Sequence, residues 1–222
     1  PGLAGLVLLI GKAWDAISDP LMGWISDRTR SRFGRRRVYF LAGIVPILVS
    51  FALLWLVPPF SSQAGIFLFF LCANILFNSV ITMVMIPYNA LIPELTGDYK
   101  ERGSLTGFRM VFSNIASLAA AALPMLIVDV YADPTTGYLA MGLTFGAIFA
   151  LPFIGVFLVS FERGGQPEKT RFNLWGDMIQ ALANRTFRHL IGVYLPTFLA
   201  VDVISAVMVY YLTYVLGRGG SM

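Results

Sequence analysis

The chain has 222 residues, 57% of them hydrophobic and only 13% charged, with a mean hydropathy of +0.75. That balance excludes an ordinary soluble domain and reads as an integral membrane protein. The formal charge of +4 does not point to nucleic acid, because the basic residues gather in three loops. One cysteine, Cys72, and one histidine, His189, exclude an intramolecular disulfide and argue against a metal cluster.

Six stretches are apolar and long enough to cross a bilayer core of about 30 Å as helices of about 20 residues: Leu3 to Ser26, Val38 to Val57, Ile66 to Ile92, Leu105 to Tyr131, Gly137 to Phe161 and Leu190 to Leu216. The polar and apolar alternation of a barrel is not visible. The expected class is therefore all-α and polytopic.

The first stretch contains "KAWDAISDPLMGWISD". At about 100° per residue, with Lys12 at zero, Asp15 falls near 300° and Asp19 near 340°, with Trp14 opposite. A charge at the bilayer centre costs ~2.5 to 3.5 kcal/mol even on the permissive insertion scale. Three on one arc must face protein or water and offset one another. Two carboxylates at i and i+4 converge on one point that suits a hard cation such as Na⁺ or a shared proton, with Lys12 as counter-ion. The competing reading is a permanent salt-bridge cluster that specifies helix packing. Asp27 stands at the mouth among arginines, where a local ion pair or a contact to a neighbouring helix end is expected.

Along the third stretch Asn74, Asn78, Thr82, Met85 and Asn89 share one helical face. Their amides and hydroxyl could bind sugar hydroxyls in an aqueous cavity, or join helices to one another. Arg109 lies just inside the fourth stretch, where it either snorkels to the interface or turns inward to an aspartate of the first helix. Phe172, Trp175, Ile179 and Leu182 in the loop 162–188 fall at helical spacing, as in a helix lying at the membrane interface. A simple tether is the alternative. Asp202, with Ser205, Tyr210, Tyr211 and Tyr214, forms a polar and aromatic group within the last stretch, and Asp129 is expected near the outer interface.

Of the 16 lysines and arginines, six lie in 27–37, two in 93–104 and five in 162–188. The opposite connections carry none, so the three basic loops are expected in the cytoplasm. The first helix then runs inward from outside, and an intact protein that begins in the cytoplasm needs an odd number of preceding spans. Pro1, with no basic segment before the apolar run, reads as an internal start. One preceding helix, five here, a central loop and the opening of a second half outline a transporter of two six-helix halves. The expected divisions are 1–161, an N-terminal bundle lacking its first helix; 162–188, a central cytoplasmic loop; and 189–222, the first helix of the C-terminal bundle.

"KAWDAISDPLMGWISDRTRSRFGRRR" followed by "IPYNALIPELTGDYKERGSLTGFR" resembles the glycoside-pentoside-hexuronide:cation symporters of the major facilitator superfamily, typified by the melibiose permease. The resemblance runs from that family's second helix to its seventh. It implies a twelve-helix symporter with alternating access, six of its helices in this chain. It implies further that Asp15 and Asp19 belong to a Na⁺, Li⁺ or H⁺ site, that Ser18 adjusts cation choice, and that Lys12 matches a basic family position. Arg109 would stand near sugar and cation. Gly23, Asp27, Gly34, Arg35 and Arg36 match the superfamily's cytoplasmic loop motif. Where the melibiose permease carries an acidic sugar-binding residue, this chain has Met85, so galactoside specificity does not carry over. Related sodium-coupled lysolipid transporters leave such a substrate open.

Three function classes follow. The leading one is a cation-coupled sugar or glycoside transporter, with Asn74, Asn78, Thr82, Asn89 and Asp202 as cavity candidates. Its expected partners are the lipid bilayer, that of a bacterial inner membrane, and a small-molecule substrate. It would need no cofactor, no nucleic acid and no metal beyond the transported cation. The second is a shortened chain serving as a structural subunit among membrane-protein partners. The third, an enzyme, finds no nucleophile with a base, no metal-ligand set and no phosphate loop.

Overall fold

The computed structural model describes residues 2–161 and 174–210. Among the described residues eight helices form in chain order: α1 (Gly2–Arg28), α2 (Arg37–Trp55), α3 (Gln63–Leu95), α4 (Tyr99–Val128), α5 (Pro134–Ala150), α6 (Pro152–Val159), α7 (Leu174–Ala183) and α8 (Arg185–Tyr210). The described residues contain no strand. Two compact units are present, one within Pro1–Lys169 and one within Thr170–Met222.

Polar side chains set where the helices start. Ser62 accepts from the Gly65 N–H at 3.1 Å to open α3, and Asp98 accepts from Lys100 N–H at 2.9 Å to open α4. Asp133 opens α5 more fully, taking the N–H groups of Thr135 and Thr136 as well as both hydroxyls. Those four bonds to the ionised form lower the Asp133 carboxyl from 3.8 to about 2, the hydroxyls of Thr135 and Thr136 acting most strongly.

The fifth expected span is two helices. Pro152 removes an N–H and its ring crowds the preceding turn, so α5 ends at Ala150 and α6 starts with proline at its first turn. Together Pro134–Val159 remain long and apolar enough to cross a membrane, as are Arg37–Trp55, Gln63–Leu91 and Tyr99–Val128. Helix α1 has the length, about 40 Å at 1.5 Å per residue, but carries Lys12, Asp15 and Asp19 within it.

In the first unit α2 is central. One face packs on α3, through Phe40, Ile47, Val80, Val84 and Leu91, with Phe153, Val156 and Phe157 of α6 closing the cluster. Its far end meets α5, where Val128, Met141 and Phe145 gather against Phe51 and Trp55. Small residues permit these contacts: a Cβ on Gly43 would lie 2.2 Å from Val84 Cγ2, and one on Gly142 would lie 2.9 Å from Trp55 Cδ1. Helix α1 lies on the other side of α3, and α4 packs along α5. Most of α4 is exposed within the unit, including Phe108, Phe112 and Leu118.

In the second unit Asn184 caps α8, accepting from Thr186 N–H at 2.9 Å, and Tyr194 and Phe198 pack ring to ring at 4.2 Å. Helix α7 forms where the spacing of Trp175, Ile179 and Leu182 predicts a helix. Ile179 and Leu182 are exposed, while Phe172 and the side chain of Trp175 lie outside the described residues. The side chains of Asp202, Ser205 and Tyr210, and the whole of Tyr211 and Tyr214, also lie outside them.

Candidate functional site

The buried positions of α1 are Val7, Gly11, Ser18, Met22 and Ser26. Their spacing of four and seven makes one stripe, and that stripe is the face laid on α3. Asp15 and Asp19 stand on one edge of it, and Lys12 stands further round. Trp14, expected opposite the charges, lies on the other edge and is not remote from α3: its Nε1 donates to Ser79 Oγ at 2.8 Å.

The three charges have different surroundings. Lys12 Nζ is 3.6 Å from Asp15 Oδ2, and its side chain is 85% exposed while that of Asp15 is 24% exposed. Asp19 instead faces α3 and accepts from Thr82 Oγ1 at 2.8 Å. One turn of helix thus carries one carboxylate answered by an amine and one answered by a hydroxyl. Between them in sequence Ser18 is 9% exposed, and among the described residues its Oγ has no hydrogen-bond partner.

The polar stripe of α3 divides. Asn74 and Asn78 face α1, with Asn78 Nδ2 donating to Asn74 Oδ1 at 3.1 Å. Thr82 reaches Asp19 from the same stripe. Asn89 is exposed, and Met85 is half-buried. Asn74 also lines an apolar cavity of about 450 Å³ with Val7, Leu54 and Phe67.

Arg109 turns to α3. Its guanidinium lies 5.4 Å from the centre of the Tyr88 ring, a cation–π contact, and Tyr88 meets Phe40 edge to face at 6.3 Å. Among the described residues Arg109 makes no ion pair with Asp15 or Asp19. It lines a crevice of about 580 Å³ with Tyr88, Glu101, Leu105 and Ser160, and neither aspartate lines that crevice.

The loop motif is built as a brace. Asp27 Oδ1 accepts from Arg36 Nη2 at 2.6 Å, the local ion pair expected of it. Arg36 Nη1 also donates to the Ala90 carbonyl at 2.6 Å, which ties the loop to α3. Its neighbour Arg37 donates to the Phe157 carbonyl at 2.5 Å, which ties α2 to α6. Gly34 has φ of 108°, a left-handed turn that a side chain resists, whereas a Cβ on Gly23 would make only an ordinary contact with Ile86 at 3.8 Å. Arg35 is half-buried.

Chemically, two carboxylates one turn apart, a buried hydroxyl and a threonine across the seam supply only hard oxygen donors. Such a set suits a small hard cation or an exchangeable proton. Among the described residues no three of His, Cys, Asp and Glu gather at one point, so a cation held here would draw on hydroxyl or carbonyl oxygens as well. Three contributors escaped the sequence reading: Gly11, Ser79 and Tyr88. The first two lay in its reach, since Gly11 precedes Asp15 by one turn and Ser79 adjoins Asn78.

The profile of a family described as MFS/sugar transport protein matches residues 1–222. The inner membrane symporter YicJ of Escherichia coli is 30% identical over 222 residues, covering 97% of this chain and 47% of the relative. YagG of Escherichia coli, named as a putative glycoside/cation symporter, is 36% identical over 161 residues, 71% of this chain and 33% of the relative. The sodium-dependent lysophosphatidylcholine symporter 1-A of Danio rerio is 31% identical over 132 residues, 59% of this chain and 24% of the relative. The chain spans between about a quarter and a half of the length of these relatives.

Proposed function

The chain belongs to the MFS/sugar transport protein family, and from that premise we propose that the intact protein is a cation-coupled symporter for a sugar or glycoside. The observation that carries the coupling is the held pair of carboxylates: Asp15 answered by Lys12, and Asp19 held by Thr82 across the α1–α3 seam. Charges so placed within an apolar helix are costly, and an exchangeable counter-ion gives them a use. In this reading Asp15, Asp19 and Ser18 take Na⁺, Li⁺ or H⁺, and Lys12 balances the carboxylates when the cation leaves. Asn74, Asn78, Thr82, Asn89 and Asp202 stand as substrate-cavity candidates, and Arg109 serves coupling from the Tyr88 crevice. The basic loops face the cytoplasm of a bacterial inner membrane.

A second substrate class is supported by the lysophosphatidylcholine symporters among the relatives and by Met85 in the polar stripe of α3. One experiment separates the two. The intact protein is reconstituted in vesicles, and uptake of labelled glycosides and of lysophosphatidylcholine is measured under imposed Na⁺, Li⁺ and proton gradients. Gradient-stimulated glycoside uptake supports the leading reading. Stimulation of lysolipid uptake alone transfers the proposal to the second class, and stimulation of neither contradicts symport of these substrates.

A further inference from the structure

Three contacts join α1 to α3 along consecutive turns: Gly11 against Asn74 and Asn78, Trp14 to Ser79, and Asp19 to Thr82. The first differs in kind, because it depends on the absence of a side chain. A Cβ on Gly11 would lie 2.2 Å from Asn74 Oδ1 and 2.7 Å from Asn78 Nδ2, well inside van der Waals contact. Gly5 and Gly23 of the same helix are not so confined: a Cβ on Gly5 meets nothing within 4 Å, and one on Gly23 comes only to 3.8 Å from Ile86. The two amides are also tied to each other at 3.1 Å. Relief of a clash at Gly11 therefore requires either breaking that amide pair or lifting α1 from α3.

We propose that Gly11 is a positioning residue for cation selectivity: by admitting the Asn74–Asn78 amides against bare backbone, it fixes the height of α1 over α3 and so the geometry of Asp19 with Thr82. This rests on the reading of Asp15 and Asp19 as a cation site. Asp19 lies two turns beyond Gly11 on the same rigid helix, so a displacement at Gly11 is carried to the carboxylate with little loss. Small hard cations are told apart by the size and rigidity of their oxygen cage. A helix lifted by even part of the distance that separates 2.2 Å from ordinary contact therefore alters the ratio of affinities for Na⁺ and Li⁺ more than it alters transport at saturating cation.

The test uses the intact protein in vesicles, with the half-saturating Na⁺ and Li⁺ concentrations read from substrate uptake. Gly11→Ala is expected to change their ratio by about fivefold, the weight of one ordinary hydrogen bond, with both concentrations read at saturating substrate. Asn74→Ala removes the nearest obstructing atom and frees Asn78 to turn. The double variant Gly11→Ala/Asn74→Ala is accordingly expected to return to the ratio of Asn74→Ala alone. An unchanged ratio in Gly11→Ala overturns the inference, and so does a double variant that keeps the altered ratio. If Gly11→Ala does not accumulate in the membrane, recovery of the double variant supports the clash and its failure overturns it. Asp19→Asn distinguishes the levels: if it leaves cation dependence intact, the site reading itself falls; if it abolishes dependence while Gly11→Ala changes nothing, only the positioning role falls.

Discussion

Arg36 offers a prediction whose size follows from its contacts. Its side chain is 10% exposed and ion-paired to an Asp27 side chain that is 55% exposed, and it donates to the Ala90 carbonyl at 2.6 Å. A hydrogen bond to a charged group contributes about 1.5 to 3 kcal/mol. The bond to exposed Asp27 belongs near or below the low end, since water and salt screen it. The bond to Ala90 is partly buried and belongs in the middle of the range. Arg36→Ala should thus destabilise the intact protein by about 3 kcal/mol. Arg32→Ala is the control: that guanidinium is exposed and rests 4.7 Å over the Phe33 ring, a contact of about 0.5 to 1 kcal/mol. Denaturant titration in detergent micelles, followed by tryptophan emission, reads both as shifts of midpoint at constant slope. Equal losses from the two variants would refute the brace, because a general loss of positive charge would then suffice.

Two further outcomes follow from packing and titration. Gly43→Ala drives a methyl group to 2.2 Å from Val84 Cγ2, whereas a Cβ on Gly155 meets nothing within 4 Å; the first should cost about 1 to 3 kcal/mol and the second should be neutral or slightly stabilising in the same titration. Asp133 has its carboxyl lowered from 3.8 to about 2, so the stability it adds is present above about pH 4 and fades as the pH falls toward 2. Asp133→Ala should therefore trail wild type in thermal unfolding at pH 5, and the gap should have narrowed sharply by pH 2, where the folded carboxyl is half protonated. A gap as wide at pH 2 as at pH 5 would mean the cap acts through something other than its charged form.

Sequence periodicity read the helices well because their signals are local. Length and apolar runs are written within a few residues of where they act. The break at Pro152 was overlooked because the run on both sides is uniformly apolar, so hydropathy alone joins α5 to α6. The charged arc of Lys12, Asp15 and Asp19 was legible from the angles, yet its division was not: that Lys12 answers Asp15 while Thr82 answers Asp19 depends on how α1 is turned on α3. The stripe from Asn74 to Thr82 was found as a stripe, and both of its readings involve polar partners; only the packing of α1 puts Asn74 and Asn78 on Gly11. Arg109 was left between the interface and an aspartate, and it meets Tyr88, a residue whose apolar ring gave no sign of charge recognition. Asp27 was left between a local ion pair and a contact to a neighbouring helix end, and it pairs with Arg36 because the turn at Gly34 brings the two together within ten residues.

The measurement that bears most directly on the whole account is cation-driven accumulation by Asp19→Asn in the intact protein, with membrane insertion verified in parallel. Asparagine keeps the size of the side chain and removes the charge that Thr82 and the cation share. The account predicts normal insertion, loss of accumulation under Na⁺, Li⁺ and proton gradients, and substrate exchange at equal concentrations that no longer responds to those cations. Accumulation at the wild-type level under the coupling gradient would contradict the assignment of Asp19 and, with it, the reading of α1 as the coupling helix.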